Sequence, residues 1–390
     1  MSRVACTAAA LSEHPLLTHA VGECVGHLLE RGGPAPDLVV LGVTEPVVGA
    51  LEDVHRAVRR LLDPGVLVGV ATEGLLGGAQ LVERRAAVSM FATWFAPEHA
   101  PGDDPGLRPV RLAAAVDADG PAWSVPDGLA GSSGTLVVCI DPDGPSPEAL
   151  EDRLAELAPE LSVVGGSVEV PRRSGATRLL LDDAVHRDGA VGVLLPSEVP
   201  VQLVVSQGFR PFGPALAVTS CERNVVRELG GRPALDRLME AVELLSPEDR
   251  ALAAGAVHLG QVVDESRDEA GPGDFLVRSV LGADRSIGAL AVAGPVELGA
   301  TVRFHLYDAQ AATQELASLA PTVGPAGGVL AFLGAGRGAR LFDVVDRDAR
   351  TLADRLGSTP LAGLTCGAEL GPVGGRGFVH HRSVALVAIG

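Results

Sequence analysis

The chain has 390 residues, 47% of them apolar, and a formal charge of −18; its basic residues are all arginine, with no lysine. A Walker loop and a Schiff-base enzyme both depend on a lysine amine, so both chemistries are excluded. The acidic balance, without any basic run, argues against nucleic acid and against anionic membrane surfaces as partners.

The length exceeds what one core usually fills, so two domains are expected. The start, MSRVACTAAALSEHPLLTHAV, is broken by Glu13, His14 and Pro15 and lacks the apolar centre of a signal peptide. No apolar run approaches the roughly 18 residues of a membrane span. The cysteines Cys6, Cys24, Cys139, Cys221 and Cys366 are scattered and odd in number, with no CxxC pair. These features predict a soluble cytoplasmic protein with reduced thiols.

Residues 14–31 read as a helix, because Leu17, Val21, Val25 and Leu28 fall on one face. A pattern of strand, helix, strand, glycine turn and hairpin then occurs three times. The first copy has a strand over 38–41, a helix carrying Leu51, Val54, Val58 and Leu61, and a strand over 65–70. Its glycine turn is TEGLLGG (72–78), with strand-like runs near Leu81 and over 86–95. The second has strands over 135–140 and 161–164, a helix with Leu150, Leu154 and Leu157, and a turn at Gly165-Gly166-Ser167. Runs over 177–181 and 190–195 follow. The third has a strand over 329–333 and a helix with Phe342, Val345, Ala349, Leu352 and Leu356. It ends in LAGLTCGAELGPVGGRG (361–377) and a last apolar run to Ile389. The strand-to-turn distance is about thirty residues each time, the size of a βαβ unit. Consecutive Val and Leu in these strands suit sheets covered on both faces. Ligands of open α/β sheets bind at turns beyond the strand ends, and the same glycines also suit tight hairpins.

Residues 97–133 are rich in Pro, Gly and Asp and read as a surface covering. Between the second and third copies, 201–206 and 216–219 read as strands flanking QGFRPFGP, 224–229 as a strand and 233–245 as a helix. Ser246 is a fitting N-cap for a short further helix. A charged loop (264–273) precedes strands over 275–280, 289–292 and 301–306, an antiparallel meander, and a helix over 309–320.

The order of motifs resembles the FIST family, in both its N-terminal and C-terminal parts. The residues that carry the resemblance are GVATEGLLGG (69–78), VVGGS (163–167), VVSQGFRPFGPALAVT (204–219), ELGGRPALDRL (228–238) and GDFLVRSVLG (273–282). They continue with VELGATVRFHLYDAQAA (296–312), GAGRG (334–338) and PLAGLTCGAELGPVGG (360–375). The resemblance implies a sensory module for small ligands, with amino acids as the proposed class, that is often linked to signalling output domains. Some members resemble haem-binding nitric-oxide sensors. This chain departs from the family pattern at Gly334, where a Cys is common, at Tyr307, where Arg is common, and at Ala368 beside Glu369. No output domain is recognisable in it, so any output would come from a separate partner, or the protein only binds.

Arg337, between Gly336 and Gly338, suits bidentate capture of a carboxylate, and equally suits bracing its own turn. Glu369 suits an ammonium, so the two together would hold a zwitterion. Gly338 beside Arg337, Glu73 and Gly74 at the first turn, Ser167 at the second, and Cys366 and Gly367 at the third complete the expected ligand-binding set, with Arg210 as a further candidate. Arg278, in an apolar strand, needs a buried partner or a solvent-facing position. Among ten histidines no metal-binding spacing and no CxxCH occurs. His305 in a strand and His258 on an apolar helix are the candidates for an axial haem ligand, the alternative reading. A thiol-dependent enzyme is the third: Cys366 would need a pKa lowered by amides or Arg337. No base is placed beside it, and no GxSxG elbow surrounds Ser167.

The sequence therefore predicts an α/β protein of mixed sheets with outer helices, built from repeated units. A FIST N-terminal-like domain is expected over residues 1–245 and a C-terminal-like domain over 246–390. The predicted function is binding of a small polar metabolite in a cleft lined by the glycine turns, without catalysis, metal or required cofactor.

Overall fold

Each of the three repeats pairs its own strands in the same way. In the first, Leu38–Thr44 and Val66–Thr72 run parallel, connected by helix Leu51–Leu62, and Val88–Phe95 returns antiparallel beside Leu38–Thr44. In the second, Gly134–Ile140 and Leu161–Val168 flank helix Pro147–Leu157, and Ala190–Leu195 returns. In the third, Gly328–Gly334 and Leu361–Val373 are the parallel pair and Val384–Ile389 returns. This computed structural model describes residues 4–96, 106–118, 120–169, 177–266, 271 and 273–390.

The hairpin after each glycine turn leaves its own repeat. Gly74–Gly77 pairs with Leu361–Val373, placing Leu75 opposite Leu364. Leu179–Leu181 pairs with Val66–Thr72, placing Leu179 opposite Val70. The far half of Leu361–Val373 pairs with Leu161–Val168, placing Leu370 opposite Gly165. The exchange is cyclic: first onto third, second onto first, third onto second. The result is a 6-stranded and a 12-stranded mixed sheet.

Alternation along each strand explains why both faces are apolar. Leu38, Val40, Val66, Val68 and Val70 point into a central core shared with Val137, Val164, Phe332, Leu364 and Cys366. Their neighbours Val39, Leu41, Val43 and Leu67 point the other way, onto Val21, Val25 and Leu28 of helix Leu17–Gly32 and Val54 and Val58 of Leu51–Leu62. The second and third repeats cover their outer faces likewise, with Leu150 and Leu154, and with Leu316, Ala349 and Leu352. Gly165 has φ +148, and a Cβ there would overlap the Val138 carbonyl, so only glycine lets these two strands approach.

These repeats belong to one compact unit, Met1–Val205, Leu316–Pro372 and Arg376–Gly390. The other, Ser206–Glu315 with Val373–Gly375, holds a seven-stranded sheet. The expected meander is part of something more closed. Phe209–Glu222 pairs with Thr301–Tyr307, followed by His258–Val262, Phe275–Asp284, Ala289–Val292 and Val225–Leu229, which returns to Phe209–Glu222. The ring of pairings removes the open edges. Its core is Phe212, Val226, Leu259, Leu290, Val302 and Phe304, capped by Ala234, Leu238 and Ala241 of helix Ala234–Glu243.

Several expectations change. Val4–Ser12 is an unanticipated strand, antiparallel to Val88–Phe95; its alanines have little strand preference, and the pairing decides it. The helix expected from residue 14 starts at Leu17. The third repeat's helix is split into Gly338–Phe342 and Arg347–Leu356 by Asp343 at φ 60. His258 opens a strand instead of riding a helix, because helix Pro247–Gly255 has already ended. Within the expected surface covering, Arg108–Asp117 and Gly120–Ser124 form a hairpin that extends the larger sheet; 97–105 and 119 lie outside the described residues. Of the charged loop, 267–270 and 272 lie outside them too. Among the described residues no helix is long and apolar enough to cross a membrane.

Candidate functional site

The cyclic exchange brings the three glycine turns together. Thr72 Oγ1 donates to the Thr365 carbonyl at 2.8 Å and lies 3.2 Å from the Glu169 carbonyl. The Glu73 amide donates to that same Glu169 carbonyl at 2.8 Å, and the Glu169 amide to Thr365 O at 3.4 Å. Ser167 is buried opposite Ala368, and Gly166 opposite Glu369.

Around this junction stand carboxylates from two repeats. The Glu73 side chain, 24% exposed, lies 3.7 Å from the Arg84 guanidinium. Burial raises the pKa of Glu83, against the pull of Arg84 and with a further push from Glu73. Burial likewise raises Glu169, and Glu73 adds to it. Glycine makes room for these groups: a Cβ on Gly74 would lie 2.6 Å from Thr365 Cγ2, and one on Gly338 would lie 2.8 Å from Glu83 Oε1. The exposed Arg340 and Arg84 supply positive charge beside them. The chemistry on offer is that of cation recognition, with two arginines near enough to meet an attached anion.

Glu369 lies deeper. It is fully buried; Oε2 accepts from Ser383 N at 2.9 Å and from Ser383 Oγ at 2.7 Å, while Oε1 has no hydrogen-bond partner among the described residues. Burial pushes its pKa up to about 8, although the Ser383 donors and Arg337 pull downward. It is a proton-holding acid at neutral pH.

Arg337 takes the bracing role. It is 1% exposed, and its Nε and Nη2 meet Asp348 Oδ2 and Oδ1 at 2.7 and 3.0 Å, while Nη1 donates to Arg382 O at 3.2 Å. Its fork is filled from within the chain, so the expected Arg337–Glu369 clamp on one zwitterion is not what this geometry offers. Cys366 is also corrected. It lies wholly inside the central core, and burial, then Glu369, push its thiol pKa well above the ordinary value, the reverse of nucleophile activation. Gly367, by contrast, is exposed, its carbonyl 3.4 Å from His381 Nδ1.

Arg210 belongs to the second compact unit, where Asp249 and Asp308 hold it at 2.5 and 3.3 Å. Arg278 donates to the Pro295 carbonyl. His258 and His305 sit opposite each other on paired strands of the same unit. His305 is 2% exposed, its Nδ1 donates to Arg303 O at 2.9 Å, and burial lowers its pKa to about 4. Gly260 lies flat against its ring, and the adjoining cavity measures about 110 Å³. A porphyrin is far larger than this space, so these residues do not fit haem.

Sequence reasoning missed Glu83, Glu169, Asp348 and Ser383. Glu169, two residues past the Gly-Gly-Ser turn, was within reach of the turn argument; Ser383 and Asp348 carried no local signal.

The FIST N domain matches residues 37–232 and the FIST C domain residues 234–372. The chain belongs to the FIST family. An uncharacterized Mycobacterium tuberculosis protein, MT0656, is 37% identical over 376 residues, covering 95% of this chain and 96% of its own length. The uncharacterized Mycobacterium bovis protein Mb0898c is 38% identical over 359 residues, 90% of each chain. FIST domains are associated with sensory ligand binding in signal transduction, not with a known catalytic activity. The family boundary near residue 233 and the limits of the compact units divide this FIST chain differently. The second FIST domain contributes strands to both units.

Proposed function

We propose that this FIST protein is a cytoplasmic sensory or regulatory protein that binds a small polar metabolite of the amino-acid class. The binding locus is the junction of the three glycine turns, and the signal passes to a separate protein. The observation that carries the reading is the set of half-buried carboxylates, Glu73, Glu83 and Glu169, around the Thr72–Thr365 contact, with Arg84 and Arg340 beside them. Burial raises the pKa values of Glu83 and Glu169, an ammonium favours their ionised forms, and the arginines meet the attached carboxylate. The buried Cys366, its thiol pKa pushed well above the ordinary value, speaks against a thiol enzyme.

The test is calorimetric titration of the whole chain with amino acids, preceded by a thermal-shift screen. A binding amino acid should lose at least tenfold in affinity in Glu73→Gln and in Arg84→Ala. Because burial raises the pKa values of Glu83 and Glu169 and an ammonium favours their ionised forms, affinity should rise as pH increases through those raised values. A screen without binders, or a binder indifferent to both substitutions, overturns the proposal.

A further inference from the structure

The three repeats meet at two buried threonines. Thr72 ends the second strand of the first repeat and is 1% exposed; Thr365 lies in Leu361–Val373 of the third and is 3% exposed. Thr72 Oγ1 has one proton and two carbonyl acceptors for it, Thr365 O at 2.8 Å and Glu169 O at 3.2 Å. A carbonyl only accepts, so that proton is committed. Thr72 Oγ1 also lies 3.4 Å from Thr365 Oγ1. With its own proton spent, Thr72 accepts in this contact and Thr365 is the donor. The Thr365 hydroxyl has a second partner in the side chain of Glu169, from the second repeat. Backbone bonds hold the three segments together: Glu73 N donates to Glu169 O at 2.8 Å, and Glu169 N to Thr365 O at 3.4 Å. One proton, on Thr365 Oγ1, therefore faces two acceptors from two different repeats.

We infer that the Thr365 hydroxyl is a two-position relay, which orients the Glu169 side chain in the binding site and carries its charge state to Thr72. The inference rests on the reading of the turn junction as the binding site and adds how that site is regulated. An ionised Glu169 only accepts, and a charged acceptor outcompetes a hydroxyl, so the Thr365 proton turns to Glu169. A neutral Glu169 donates its own O–H to Thr365 Oγ1, and the Thr365 proton turns to Thr72 Oγ1. The bonds then run from Glu169 to Thr365 to Thr72, across all three repeats. The proton that separates the two states is exchanged with solvent through the partly exposed Glu169. Among the described residues, burial, Glu73 and Glu83 raise the pKa of Glu169, while Thr365 and Arg340 lower it. An ammonium beside Glu169 favours the ionised form and so turns the hydroxyl away from Thr72. The two branches of Thr365 have separate tasks: Oγ1 makes the relay, and Cγ2 fills the space left by Gly74, whose Cβ would lie 2.6 Å from it.

The experiment is a carbon-detected NMR titration of the Glu169 carboxyl in the ligand-free full chain, with the signal assigned by its loss in Glu169→Gln. Thr365→Val keeps the methyl and removes the donor to the ionised form, so the Glu169 midpoint should rise. Thr365→Ser keeps the hydroxyl and should hold the wild-type midpoint, although it loses the methyl. Thr72→Val removes the acceptor that the neutral arrangement uses, so the midpoint should fall. A threonine that only packs would tie the midpoint to the methyl, and Thr365→Ser would move it while Thr365→Val would not. If Thr365→Val does not fold, the held midpoint in Thr365→Ser and the fall in Thr72→Val still decide. An unmoved midpoint in Thr365→Val or Thr72→Val, or a rise in Thr365→Ser equal to that in Thr365→Val, overturns the inference. These titrations use no ligand, so a failed relay and a failed amino-acid reading are distinguished: the first shows in the Glu169 midpoint, the second in calorimetry.

Discussion

Replacing Glu369 by glutamine isolates the most perturbed carboxyl of the turn region. The folded pKa is about 8 against an ordinary 4.5, with burial as the main cause. Between those values the native state holds a proton that the unfolded chain has released, so stability falls as pH rises. Each unit of pKa difference corresponds to about 1.4 kcal/mol, and integration from pH 5 to pH 8 puts the loss at about 3–4 kcal/mol. That is a large share of the about 5–15 kcal/mol by which domains are typically stable. Glutamine mimics the protonated acid: its oxygen still accepts from Ser383, and its NH₂ occupies the position of the orphaned Oε1. The variant should therefore match the wild type near pH 5 and exceed it near pH 8. Urea unfolding followed by tryptophan fluorescence is the assay, since Trp94 and Trp123 lie in the same compact unit as Glu369. Other titrating groups contribute equally to both proteins and cancel in the difference. Parallel pH profiles for wild type and Glu369→Gln would refute the reasoning.

Arg337→Ala should cost about 3–5 kcal/mol in the same assay, because it leaves Asp348 charged, 2% exposed and without its bidentate partner; a loss under 1 kcal/mol would show the pair to be solvated. Alkylation of the native protein at pH 7.5, read by mass spectrometry, should modify Cys6 and Cys221 well before Cys24, Cys139 and Cys366, which are buried. Early labelling of Cys366 would contradict its raised pKa and its place in the core.

The three repeats, their helices and the positions of their glycine turns were legible in the sequence, because hydrophobic spacing and glycine act over a few residues. The family resemblance was legible for the same reason: it is an order of local motifs. What the chain order concealed is which strand each hairpin joins. Thr72 meets Thr365 across 293 residues, and no periodicity in either segment announces that contact. That pairing sets the chemistry of the site. It sinks Glu369 and Cys366 into the interior and leaves Glu73 partly exposed beside Glu83 and Glu169. Arg337 illustrates the division most directly. A guanidinium on a glycine turn has the same local appearance whether it awaits a ligand or is already satisfied, and only the packing of helix Arg347–Leu356, which carries Asp348, decided between them. Local composition determined the repeated architecture, while burial and long-range pairing, properties of the folded whole, decided which polar groups remain available to bind.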